Sequence, residues 1–215
     1  MSDKSNKYGY VGVDIPAQSF GSNKGVFNPA EINDLVANNQ WTTFGQLELI
    51  ETQTVSSSFA DFTTLNENTY NVHLITLSNI YTTGQTEIGL RFSDDNGATF
   101  EITPYEFANL RGNAVGTADD RRSTAQQSIR LAGDTTGNYA NNTLNGYVYI
   151  YNAGDSTKYT GTTSHISFMF NNTHYYEFGG GVYGTTSSIN AIRIGQGILS
   201  AFTSGTLSLY GIRYS

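Results

Sequence analysis

The sequence predicts an all-β protein, a jelly-roll-like β-sandwich preceded by an N-terminal arm with one short helix. Three observations predict it. From about residue 46 onward, apolar residues recur at every second position in eight or so runs, the period of a strand with one buried face. Clusters of Gly, Asn, Asp and Ser separate those runs, and a single stretch carries a good helical period. Aromatics are abundant, 15 Tyr and 12 Phe against one Trp, which argues against disorder and suits a pleated surface. At 215 residues the chain is long enough for a sizeable core, and an all-β sandwich of this length is usually one domain.

Residues 1–45 read as the arm. Segments 8–16 and 19–27 are aromatic and glycine-punctuated with no sustained period, which places Tyr8, Tyr10, Phe20 and Phe27 in irregular chain. A helix start follows, with Asn28 as N-cap, Pro29 at N1 and the Glu31 carboxylate at N3 within reach of the Asn28 amide. Ile32, Leu35 and Val36 then share one face, and Asn38-Asn39 ends the helix. So short a helix is stable only if that face docks. Either it plugs one end of the β-domain, or the whole segment is an attachment arm.

The β-domain is expected to span 46–215. Ile88, Leu90 and Phe92 alternate with Glu87, Gly89, Arg91 and Ser93, and Ile166, Phe168 and Phe170 do the same against His165, Ser167 and Met169. Leu207 and Leu209 alternate with Thr206, Ser208 and Tyr210. Further strands are expected near 47–55, 70–80, 98–103, 146–152 and 189–195. The closing runs 188–194 and 204–213 set the last strand into a sheet. Turns fall at 94–97, 133–138 and 152–156. Gly179-Gly180-Gly181 reads as a flexible or tightly turned loop. Arg111, Arg121, Arg122 and Arg130, beside Asp119 and Asp120, read as a solvated or salt-bridged loop. No fixed-period repeat is visible, which disfavours a propeller or solenoid.

Charge and composition exclude several functions. The net charge of −7 argues against nucleic acid as a partner. Charged residues make up 13% of the chain, against roughly 25% in an average protein, so solubility rests on uncharged polar residues. With no cysteine there is neither a disulfide nor a thiolate ligand. Residues 1–7 are polar and show no signal-peptide core, and no run approaches the roughly 18 apolar residues that span a bilayer.

No cofactor or metal is expected. His73, His165 and His174 lie far apart without ligand spacing. Asp94, Asp95 and Asn96 resemble calcium ligands, but the bidentate Glu of such a loop is missing. Ser93-Asp94-Asp95-Asn96-Gly97-Ala98-Thr99-Phe100 resembles the Asp-box turn of sialidase propellers, a structural hairpin occurring once here. The acids pair like ordinary strand and turn residues, and no nucleophile elbow or phosphate loop appears, so an enzyme is not expected.

Tyr147, Tyr149 and Tyr151 stand out. They alternate with Val148 and Ile150, so aliphatics on one face would leave three tyrosines on the other. Three readings are open for them: a core residue set in a sheet buried on both sides, a subunit interface, or a ligand platform.

The arm from 8 to 27 and the capped helix up to Trp41 resemble the N-terminal segment of structural proteins of marine tailed bacteriophages. Residues 49–55, 145–152, 154–159 and the closing 204–212 share the resemblance. It implies a β-rich module on the particle exterior, a head decoration, knob or short tail-fibre tip, folded in the host cytoplasm and assembled into the virion. It implies other capsid or tail proteins as partners, attachment through the arm, and a homotrimer, and it carries over no catalytic residue. Without heptads or fibrous repeats the chain does not build a long shaft by itself. The alternative function is a carbohydrate-binding β-sandwich that recognises a host-surface glycan. No membrane insertion is expected.

Overall fold

The computed structural model describes residues 29–37, 47–136, 142–196 and 202–213. The chain divides into two units, residues 1–45 and 46–215. In the first, the described element is α1, Pro29–Ala37, which begins at the proline expected at N1. Ile32 and Leu35 are partly covered while Ala30, Asn33, Asp34 and Ala37 are exposed, an amphipathic pattern. Val36 lies in the same helix. Tyr8, Tyr10, Phe20, Phe27 and Asn28 lie outside the described residues.

All other described elements are strands: β1 (Leu47–Thr54), β2 (Phe59–Phe62), β3 (Val72–Thr82), β4 (Gln85–Ser93), β5 (Tyr105–Asn113) and β6 (Ala118–Gln126), then β7 (Ile129–Thr136), β8 (Leu144–Tyr151), β9 (Tyr159–Phe170), β10 (Thr173–Thr186), β11 (Ala191–Gln196) and β12 (Phe202–Ile212). They form a sandwich of two antiparallel sheets, eight strands in the order β1-β12-β3-β8-β9-β10-β5-β6 and four in the order β2-β11-β4-β7. The pairs β1/β12, β2/β11, β3/β8 and β4/β7 are nested in the chain, as in one long ribbon wrapped into two facing sheets. That nesting is jelly-roll topology. Hairpin β5–β6 is inserted between β4 and β7, and hairpin β9–β10 between β8 and β11. Both widen the larger sheet beyond β8.

Alternation sorts the side chains. Ile75, Val148, Ile150, Ile166, Phe168, Leu207 and Leu209 of the wide sheet, and Phe62, Ile88, Leu90, Phe92, Ile129, Ile192 and Ile194 of the narrow one, are at most 2% exposed. Each such side chain contributes about 1.5–3 kcal/mol on burial. Tyr105 joins them, its hydroxyl oxygen accepting from the Phe92 amide at 2.8 Å. Burial raises its pKa above the ordinary tyrosine value.

Four expectations are corrected. The 98–103 segment is not a strand. The chain from Ser93 onward is committed to a turn, with Gly97 N–H donating to Ser93 Oγ and Thr99 N–H to Asp95, both at 2.9 Å, and the next strand, β5, begins at Tyr105. Residues 133–136 belong to β7 and are not a turn. Gly179-Gly180-Gly181 is the middle of β10, paired on both sides. Side chains there would collide with backbone of β5 and β9 and with Ile129, so glycine is what lets three strands close up.

The arginine cluster, finally, is strand and not loop. Arg111 lies on β5, Arg121 and Arg122 on the edge strand β6, and Arg130 on β7. Arg130 and Glu177 form a buried ion pair between the two sheets, at 3.2 Å. Glu177 also accepts from Asn109 Nδ2 and the Gly133 amide, both at 3.1 Å, while Arg130 Nη1 pairs with Glu87. A fully buried carboxylate is tolerable because these donors replace its hydration.

Candidate functional site

The inner face of β8 carries Leu144, Val148 and Ile150, all fully buried. Period-two alternation therefore turns Tyr147, Tyr149 and Tyr151 to the outside of the wide sheet. Tyr147 is 41% exposed. A core position inside the sandwich is thus not where these residues sit.

Register extends the row into neighbouring strands. Tyr147 lies opposite His165 of β9, and His165 lies opposite Phe178 of β10. The rings touch in sequence. Centroid separations are 6.4 Å for Tyr151–Tyr149, 5.6 Å for Tyr149–Tyr147, 6.1 Å for Tyr147–His165, 6.1 Å for His165–Phe178 and 5.9 Å for Phe178–Tyr176. All fall in the range where stacked and edge-to-face pairs attract. The cross-strand partners between them, Thr76, Leu74, Thr163 and Ser167, are uncharged. Toward the β1 edge the same face continues through Tyr210 to Leu49, which is 60% exposed.

The outer face of the narrow sheet is built differently. Arg193 donates from Nε and Nη2 to Asp61, each at 2.7 Å, and its guanidinium lies 3.7 and 4.1 Å from the centroids of Phe59 and Phe100. There Arg193 is paired with a carboxylate and lies over two rings, so this face is not a continuous run of ring contacts.

The tyrosine row ends at a pocket of about 240 Å³ beyond Tyr151. Two tight turns shape it. One, in the β2–β3 connection, has Asn66 at φ 53°, and its carbonyl accepts the Thr69 and Tyr70 amides. The other follows β8, with Asn152 at φ 63° and its carbonyl accepting the Asp155 amide. Gly154 joins them, since a Cβ there would strike the Glu67 carbonyl oxygen. Asp155 accepts from the Thr157 amide at 2.9 Å and pairs with Lys158 at 2.8 Å, and these partners, Lys158 first, hold its pKa well below the usual carboxylate range.

Other sequence-predicted features fall elsewhere. The Ser93–Phe100 turn forms with Asn96 at φ 60° and Gly97 at φ 82°, as a tight turn requires. Asp95 accepts from the Thr99 amide and from the Ser93 and Thr99 hydroxyls, which lowers its pKa to about 2. Asn190 ties this turn to the approach of β11 through the Asn96 amide and the Asp94 carbonyl. His73 is fully buried, with Nε2 2.8 Å from the Leu65 carbonyl oxygen. His174 pairs with Ser167 at 2.8 Å.

Among the described residues no group of three or more His, Asp or Glu is placed to hold a metal ion. None of their helices is long and apolar enough to cross a membrane. Sequence reasoning missed His165, Tyr176 and Phe178 as members of the ring row. His165 was legible from its alternation, whereas the triple glycine read as a loop hid the strand carrying Tyr176 and Phe178. No family model, curated protein or solved structure matches this chain.

Proposed function

We propose that the chain is a non-enzymatic virion surface protein of a tailed bacteriophage, displayed on the particle exterior and attached through residues 1–45. Its wide sheet presents the surface by which copies of the module contact one another. One observation carries this reading: six rings in continuous contact on an outer face, with uncharged neighbours, in a chain of net charge −7. A protein so acidic repels its own copies, and an uncharged aromatic zone is where association costs least. Contiguous exposed apolar surface of this kind marks contact sites. Its likeness to virion structural proteins, through the arm and the closing strand, supplies the particle setting and the threefold assembly. The carboxylates with the most partners, Glu177, Asp61, Asp95 and Asp155, are held in ion pairs and turns, which supports a non-enzymatic role. Solution mass by light scattering tests the association: a trimer at micromolar concentration supports it, and a monomer removes the self-contact.

A further inference from the structure

We infer that the pocket beyond Tyr151 is a subsite for one neutral sugar ring of a host-surface glycan. The inference rests on reading the module as an exterior, adhesive one. It names a site that adjoins the contact row and shares Tyr151 with it.

The size comes first. About 240 Å³ is below the roughly 300–1,000 Å³ of pockets for drug-sized ligands, and it suits a single small ring. The chemistry of the walls comes next. Tyr151 supplies a flat apolar body with the buried Tyr70 behind it. Asn71 and Asn152 bring amides, the Asn152 Nδ2 donating to the Tyr159 carbonyl at 3.3 Å and its oxygen remaining an acceptor. Glu67 adds an acceptor and Lys158 a donor. A polyol whose ring faces carry C–H groups and whose rim carries hydroxyls matches that alternation of rings and two-way hydrogen-bonding groups.

Charge narrows the ligand. Asp155 and Lys158 neutralise each other, which leaves Glu67 as the net charge of the lining. A uronate or sialate would meet a carboxylate, so a neutral hexose is selected. A cation is disfavoured because Asp155 is occupied by Thr157 and Lys158. The two turns with left-handed asparagines, locked together at Gly154, hold the walls before any ligand arrives, which limits the ordering cost of binding.

Saturation-transfer NMR on the full chain tests this, with the methyl glycosides of glucose, galactose and mannose and with galacturonate as the anionic probe. Transfer to at least one neutral hexose and none to galacturonate is expected. Glu67→Ala, a half-exposed loop position, should weaken binding about tenfold or more (about 1.4 kcal/mol) with an unchanged melting temperature. Tyr147→Ser should leave sugar binding intact. Silence from all three hexoses, preference for galacturonate, or unchanged binding in both Glu67→Ala and Tyr151→Ala overturns the subsite. Loss of sugar binding with the assembly still dependent on Tyr147 sinks the pocket alone; sugar binding by a chain that never self-associates sinks the contact face alone.

Discussion

His73 shows how one side chain ties this fold to pH. It lies fully buried on the inner face of β3 and makes its one hydrogen bond through Nε2 to the Leu65 carbonyl, while Nδ1 meets no partner among the described residues. Burial dominates and lowers its pKa below 6.5, outweighing the Leu65 contact. The unfolded chain binds a proton at about 6.5 and the folded one resists it. Stability is therefore unaffected above that pH and falls as pH drops below it, by up to about 1.4 kcal/mol per pH unit until the folded pKa is reached. Urea unfolding between pH 8 and pH 5 should show the loss, and His73→Gln, which keeps a donor for Leu65, should flatten it. Asp95 acts in a separate, more acidic window: its pKa is depressed to about 2 from 3.8, so what it contributes is lost only as pH falls through that range.

The elements carry the lesson of what a sequence displays. Strands with one face buried announce themselves through period two, and β4, β8, β9 and β12 were legible on that ground. So was α1, from Pro29 and the spacing of Ile32, Leu35 and Val36. Strands stabilised by something other than apolar alternation were hidden. β6, Ala118–Gln126, is an edge strand of charged and polar residues, and its Asp119 pairs with both Arg111 and Arg121 across and along the hairpin. Charges on an edge prevent sheet-to-sheet aggregation, and so remove the pattern by which the strand could be read. β7 was hidden by Arg130, whose buried ion pair looks like surface composition until its partner is known, and by the turn-like run 133–138; β10 was hidden by Gly179-Gly180-Gly181. Glu177→Ala should cost about 3–5 kcal/mol, since it takes the buried acceptor from Arg130 Nε, Asn109 Nδ2 and the Gly133 amide together, leaving Arg130 paired with the exposed Glu87. Thermal or urea unfolding checks this, and a loss below about 0.5 kcal/mol would show that the pair is dispensable.

At the scale of the molecule, the jelly roll needs only β1-β12-β3-β8 against β2-β11-β4-β7, and the two inserted hairpins do something further. Together they double the wide sheet, and the β9–β10 hairpin brings His165, Phe178 and Tyr176 beside the tyrosines of β8. The proposed contact face thus joins β8 of the jelly roll to one inserted hairpin, β9–β10, which is why only its three β8 tyrosines were read in advance. In the proposed reading, attachment belongs to residues 1–45. Deleting residues 1–28 should leave a folded β-domain, by circular dichroism and cooperative melting, that no longer enters particles; normal incorporation would remove the anchor role. The central claim is that the aromatic row is a contact surface, and the Tyr147→Ser variant tests it most directly, by melting temperature and light-scattering mass together. Tyr147 touches Tyr149 and His165 and is 41% exposed, so as a surface residue its loss should cost no more than about 0.5 kcal/mol, or about 1–2 °C. The account predicts that small shift together with collapse of the trimer to monomer. A fall equivalent to the about 3–5 kcal/mol of a truncated core aromatic, with the mass unchanged, would contradict it.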